Sequence, residues 1–269
     1  MANINKYHLA TVRPNIDTLG NVAFTADDIL FDWTAFEVPR GGCAMRSLNI
    51  IMAGTNGAVA NGGLAMDLYF ATSLNGIAPP SLGLTNAVPT LIATTACRNH
   101  IIAYHSVVGS EMEDATDGLI GYNVLGKGAK DGAPMSQSEQ LVVLQGDATY
   151  VGDTVTQATT IGYQTIWIAG LAQGAYDFGT NVKLVGAKTE LTTFAFDVTD
   201  DTDGDDVFGI SDELIGFAAD GSSGQVMGSV TAVTNNLLTT DGVGFDGALA
   251  DDDEISFRGP MIIKIGLEY

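Results

Sequence analysis

Basic residues are scarce in this chain of 269: 11 lysines and arginines stand against 32 aspartates and glutamates, for a formal charge of −21. A surface of that sign repels phosphate backbones and anionic head groups over about 8 Å at physiological salt, so no nucleic acid and no membrane partner is expected. Cysteine is nearly absent. Cys43 and Cys97 are distant and form no CxxC pair, which supports neither a disulfide framework nor a thiolate zinc site and reads as two small buried hydrophobes. No apolar run approaches the ~18 residues of a membrane helix, and the start, MANINKYHLATVRPN, lacks a basic region followed by an apolar stretch. The expectation is a soluble, unexported chain. No Asn-x-Ser/Thr sequon, HExxH, GxSxG or Walker A pattern occurs. Charged residues make up only 16% and hydrophobic ones 46%, so the chain is built to fold rather than to stay disordered.

Glycine is what the sequence has in quantity. Its 33 copies fall largely in turn-like settings such as Gly41-Gly42, Asn56-Gly57, Asn75-Gly76, Asp131-Gly132 and Asp241-Gly242, where Gly, Asn and Asp supply the positive φ of tight turns. Between them lie short β-branched, aromatic or alternating runs, among them Ser47–Met52, Ala65–Thr72, Ile101–Val108, Gln164–Ile168, Leu191–Val198, Gln225–Thr231 and Met261–Leu267. Turns every 8–12 residues or so predict an all-β fold, a β-sandwich or jelly-roll with little helix. Ser211–Ala218 reads equally as a short helix capped by Ser211 or as a strand entering a loop. The Pro-rich stretch from Ile77-Ala78-Pro79-Pro80 through Pro89 predicts an excursion between strands, because proline cannot donate to a central ladder. A Gly-, Lys- and Asp-rich segment, Gly126–Gln137, marks a boundary between modules 1–139 and 140–269, unless the whole is one large domain.

Candidate chemistry is thin. In DVTDDTDGDD, residues Asp197–Asp206, the carboxylates Asp201, Asp203 and Asp205 fit the first positions of a DxDxD calcium loop with Asp212 at the twelfth. The EF-hand pattern fails at its sixth position, where Asp206 replaces the required Gly, so the choice lies between a solvated acidic loop and a different calcium site. No other cofactor is expected. The run Asp251-Asp252-Asp253-Glu254 reads as a solvated turn that discourages edge pairing. His100 and His105, five apart on a strand, face opposite sides and read as structural, as does His8. Gly242-Val243-Gly244-Phe245-Asp246-Gly247 matches GxGxxG, but no helix evidently follows and the neighbouring carboxylates would repel a pyrophosphate. Tyr163, Trp167, Tyr176 and Phe178 at strand spacing read as core or interface before they read as a sugar platform.

Val38-Pro39-Arg40-Gly41-Gly42 leading into Leu48–Met52, Thr165–Ala172 running into Gly174–Phe178, and the strand-like end Met261–Tyr269 together resemble the acidic virion structural proteins of tailed bacteriophages, of the marine and cyanophage kind. The resemblance implies β-sandwich or jelly-roll modules that serve as head decoration, cement or knob proteins, or as fibre components, often as trimers. It implies a location on the virion after synthesis in the host cytoplasm, and partners in copies of the chain and a major capsid protein. Basic residues at such contacts would come from Arg13, Arg40, Arg46, Arg98 and Arg258, with Arg40, Arg46 and Arg258 foremost, because an arginine fork suits interface carboxylates. The resulting expectation is a non-enzymatic capsid protein. Its competitors are a calcium-dependent adhesin or carbohydrate-binding module, and a glycan-cleaving enzyme with paired carboxylates.

Overall fold

The computed structural model describes residues 6–16, 23–53, 63–116, 119–125, 143–147, 162–176, 178, 182–187, 194–199, 208–218, 224–234, 237–242 and 248–269. Two antiparallel sheets face each other. The first runs in the order β1 (Tyr7–Val12), β16 (Met261–Glu268), β3 (Cys43–Ala53), β7 (Leu119–Leu125) and β6 (Glu113–Thr116), with β8 (Val143–Leu144) also pairing with β3. The second runs β2 (Ile29–Pro39), β9 (Tyr163–Ala172), β4 (Met66–Ala71) and β5 (Ile101–Val107). The all-β, sandwich-like expectation is met.

Alternation explains why these segments pair face to face. In β16 the sequence MIIKIGLE buries Met261, Ile263, Ile265 and Leu267 and half-exposes the residues between them. Each fully buried aliphatic side chain contributes roughly 1.5–3 kcal/mol of transfer free energy. Leu48, Ile50 and Met52 of β3 meet the same core, as do Met66, Leu68 and Phe70 of β4 from the opposite sheet. β16 lies between β1 and β3, paired on both sides within its own chain, so it completes its own sheet and has no free edge to donate.

β9 departs from alternation because both of its faces are covered. Ile166, Ile168 and Ala172 point into the sandwich core, while Ala169 and Leu171 pack outward against Leu82, Cys97 and Ile92 of the segment joining β4 to β5. This segment is the Pro-rich excursion expected from sequence, folded back as a flap over the second sheet. It carries the short helix α1 (Thr95–Arg98), whose start is capped by Thr94 Oγ1 accepting from Cys97 N at 3.4 Å.

The remaining strands close a barrel in the order β10 (Lys183–Val185), β11 (Phe194–Thr199), β14 (Leu237–Thr240), β13 (Gln225–Thr234), β12 (Glu213–Phe217) and β15 (Glu254–Phe257). Leu184, Leu214, Met227, Val230, Leu238 and Ile255 fill it. The seam between β10 and β15 is held by Leu184 N donating to Asp253 O at 2.8 Å and Ile255 N to Val182 O at 2.9 Å. The Ser211–Ala218 segment is strand, not helix: β12 pairs with β13 across a bulge next to Gly228, whose φ of +89° suits the extra residue. Barrel strands thus lie in sequence between β9 and β16 of the sandwich. The division at 139/140 does not follow the sheets, because β2–β9, β3–β8 and β3–β16 each join strands from opposite sides of it. Local turn composition could mark a loop there but not this long-range interleaving, and the Gly126–Gln137 segment lies outside the described residues.

Candidate functional site

Open strand edges and uncovered faces are where an all-β chain can act on others. β5 ends the second sheet, and among the described residues no strand pairs with its outer edge. Its sequence, IIAYHSV, contains no charge, and it presents Ile102 at 37% exposure and Tyr104 at 64%. Tyr104 stacks on Tyr69 of β4 with centroids 6.2 Å apart, which fixes one face of the ring and leaves the other to solvent. Edge strands are ordinarily guarded by charge, proline or a bulge against pairing with another chain. β1, YHLATV, is equally uncharged and exposes Tyr7 at 70% and Leu9 at 59%.

The outer face of the first sheet is half-exposed, with Leu9 opposite Gly266 opposite Ser47, and Thr11 opposite Lys264 opposite Asn49. At one end Arg46 of β3 pairs with Glu268 of β16. Arg258, in the turn between β15 and β16, donates its backbone N–H to Glu213 O at 2.8 Å and sets its guanidinium 3.8 Å from the Glu213 carboxylate, tying the barrel to the strand that re-enters the sandwich. Arg40 sits in the corner between β2 and β3, where Gly41 and Gly42 take φ of +100° and +89°, and its backbone N–H reaches Gly162 O at 2.9 Å. Arg40, Arg46 and Arg258 therefore occupy three separate segments, and two of them are already engaged with carboxylates of the same chain. Arg98 is exposed on α1.

Asp201, Asp203 and Asp205, the proposed calcium ligands, lie outside the described residues, as do residues 243–247 of the GxGxxG match. Asp212 is described: its Oδ2 accepts from Gly209 N at 2.7 Å, and burial pushes its carboxyl above the usual range despite that bond. Among the described residues no three His, Cys, Asp or Glu side chains cluster as a metal site would require. The run 251–254 is only half a solvated turn, since Asp251 and Asp252 are exposed while Asp253 and Glu254 are buried at the barrel seam. There Asp253 Oδ2 accepts from Ala250 N at 2.6 Å. Two of the acids face inward because β15 must close the barrel against β10.

Trp167, Tyr176 and Phe178 are buried, Tyr176 and Phe178 packing edge to face at 5.0 Å, so they are core and not a sugar platform. Tyr163 stacks at a tilt on His8, 5.1 Å away. His100 is buried with Nδ1 2.8 Å from Thr72 O, pinning the end of the flap. Both cysteines are buried, with the Cys43 thiol donating to Leu144 O at 3.4 Å and burial pushing its pKa up to about 11.

Trp33 carries no mark of function in the sequence. It lines a cleft of about 530 Å³ with Arg13, Asn15, Asp32, Thr34, Gly83, Leu84 and Thr85, between the end of β1, the start of β2 and the flap. Nothing local in the sequence announces this cleft, because its walls are brought together from three separate stretches.

No family model matches the chain, and no curated protein matches it. Among solved structures, a chain from the structure of infectious bursal disease virus Gx strain aligns at 11% identity with a TM-score of 0.15, covering 98% of this chain and 72% of that one. A likeness that slight carries no argument about fold or function.

Proposed function

We propose that this chain is a non-enzymatic structural protein of a virion, seated on the capsid surface, that works through contacts between copies of itself and with a major capsid protein. The observation that carries the reading is the uncharged, largely apolar strand β5 at the end of its sheet, with whose outer edge no strand pairs among the described residues, on a chain whose formal charge is −21. Copies this acidic repel one another over most of their surface, and a strand without carboxylates is where two chains can approach at least cost. Addition of a partner strand there would satisfy backbone groups with hydrogen bonds while Ile102 and Tyr104 supply apolar contact. A head-to-tail contact of this kind closes into a ring when its rotation allows, which suits a trimer. Repeated around a shell, such contacts would resist outward pressure, with affinity set by interface quality rather than by one residue.

Quantitative peptide mass spectrometry on purified particles tests the role. Copy numbers in the hundreds relative to the major shell protein support decoration or cementing, and a few to a few dozen copies point to a tail, fibre or vertex part. Absence of the chain from particles overturns the reading. Charge reversal at Arg40 and Arg46 is expected to weaken particle association, and unchanged association removes those two residues from the interface.

A further inference from the structure

The cleft beside β2 has the construction of a small-ligand site. Its floor is a defect in the sheet. Phe31 of β2 pairs with Gly170 of β9, but the next pair is Thr34 with Ile168, so Asp32 and Trp33 oppose the single residue Ala169; a second irregularity lies just before, between Ile29 and Phe31. Bulges of this kind re-aim side chains and are over-represented at sheet edges, where β2 lies, and next to active sites. Here the bulge presents Asp32 and Trp33 together to the flap. Asp32 Oδ1 accepts from Leu82 N at 2.9 Å and Oδ2 from Ser81 Oγ, and Trp33 Nε1 donates to Pro80 O at 3.0 Å.

Further along, the flap is stitched back to β2. Asn86 N donates to Ile29 O at 2.8 Å and Ile29 N to Ala87 O at 2.9 Å. Gly83, Leu84 and Thr85 span the interval between these two anchors and form one wall, with Leu84 81% exposed. The facing wall continues β1 by strand alternation: Val12, Pro14 and Ile16 are buried, so Arg13 and Asn15 project outward to line the cleft. Ile16 N, bonded to Arg258 O at 2.8 Å, holds that wall in place. At about 530 Å³ the space falls within the ~300–1,000 Å³ of ordinary ligand pockets.

The unused chemistry of the lining selects the ligand. Each Asp32 oxygen accepts one bond from the flap and the Trp33 N–H donates another, while Arg13 makes no ion pair among the described residues. The lining then offers one guanidinium fork, an indole, the Asn15 amide, the Thr34 and Thr85 hydroxyls, the Leu84 side chain and the second lone pairs of the Asp32 carboxylate, which can accept from ring hydroxyls. A guanidinium matches a planar carboxylate with two parallel hydrogen bonds. An indole takes the apolar face of a ring, and the amide and hydroxyls match a ring's hydroxyl groups. The geometry points to a binding site for a carboxylate-bearing sugar of the uronic acid type, with its carboxylate on Arg13 and its ring against Trp33. This inference does not depend on the virion role.

The test is a titration of the full chain with D-glucuronate, followed by the indole N–H resonance of Trp33 in nitrogen–proton correlation spectra and assigned with Trp33→Phe. D-glucose and acetate serve as controls at equal ionic strength. Expected is a saturable shift with glucuronate, at least tenfold weaker binding of glucose, and at least tenfold weaker glucuronate binding in Arg13→Gln, an exposed position whose replacement leaves the core untouched. No saturable shift, glucose binding as well as glucuronate, acetate binding as well as glucuronate, or an unaffected Arg13→Gln variant each overturns the proposal.

Discussion

Adding one methyl group at Gly170 tests the packing of the sandwich most directly. Gly170 of β9 sits opposite Phe31 of β2, and a Cβ there would lie 2.5 Å from Phe31 Cε1, 2.9 Å from Cζ and 3.1 Å from Cδ1. Carbon atoms settle at about 3.5–4.0 Å, so the ring would have to retreat by roughly 1 Å. Phe31 is wholly buried in the core it shares with Phe24, Leu30 and Phe36, so a retreat of the ring presses on that core. Overpacking of this kind costs about 1–3 kcal/mol. Against it stands the ~0.4–1 kcal/mol that replacing glycine removes from the entropy of the unfolded chain. Gly170→Ala is therefore expected to destabilise by about 1 kcal/mol, and by no more than about 2.5 kcal/mol, read in urea unfolding as a lower midpoint at unchanged slope. Phe31→Leu alone should cost a comparable ~1–2 kcal/mol through lost apolar area. Combined, the two changes should cost at least about 1 kcal/mol less than their sum, because the smaller side chain makes room for the methyl. A neutral or stabilising Gly170→Ala, or additivity within about 0.5 kcal/mol, would refute the steric argument.

Three further outcomes are expected. Cys43 has its pKa pushed up to about 11 by burial, so its protonated form is favoured by folding; that contribution is complete below about pH 9 and is lost as pH rises towards 11. Wild type should lose about 2–3 kcal/mol over this window relative to Cys43→Ser, which does not titrate there and keeps a donor for Leu144 O, and parallel stability curves would contradict the assignment. Ser211 adopts φ of +81°, which costs an L-residue roughly 1–2 kcal/mol, so Ser211→Gly should raise barrel stability by about 0.5–1 kcal/mol after glycine's entropy is subtracted; a drop in the thermal midpoint would show that the side chain matters more than the backbone. Ile102→Lys puts a charge on the open edge of β5 and should shift the chain towards monomer in light-scattering chromatography while leaving its circular dichroism unchanged, whereas an unaltered mass distribution would place self-association elsewhere.

How far the fold was legible depended on the range of the contacts. The alternation of Met261–Glu268 announces a strand with one buried face, and Gly41-Gly42 announces a corner, because both are properties of neighbouring residues. Ser211–Ala218 is ambiguous by itself, and pairing of β12 with β13 and β15 settles it as strand. β9, buried on both faces, has no alternation to read, since the flap that covers its outer side lies some 72 to 89 residues earlier in the chain, as Cys97 and Leu82 stand to Ala169 and Leu171. The interleaving of sandwich and barrel is a long-range property that no window of sequence contains. The cleft was invisible for the same reason, compounded by a bulge in β2 that depends on which strand lies opposite. Arg40, Arg46 and Arg258 stand out in the sequence as scarce cations with forks that suit carboxylates, and neither property discloses that Glu268 and Glu213 of the same chain engage two of them.

The position of β16 also sets an order of events during synthesis. Its neighbour β1 leaves the ribosome first, with Tyr7 waiting for Glu268 and Val12 for Ile263, and the whole barrel emerges in between. β1 and the outward flank of β3 thus stay without their shared central strand until nearly all of these residues have been translated, while the barrel strands, all contained in residues 183–257, can pair beforehand. Loop closure across such a separation makes this pairing slow, and the nascent sandwich displays two unsatisfied edges throughout. Ribosome-associated chaperones, and copies growing on neighbouring ribosomes of the same message, would therefore meet the sandwich with its central gap still open.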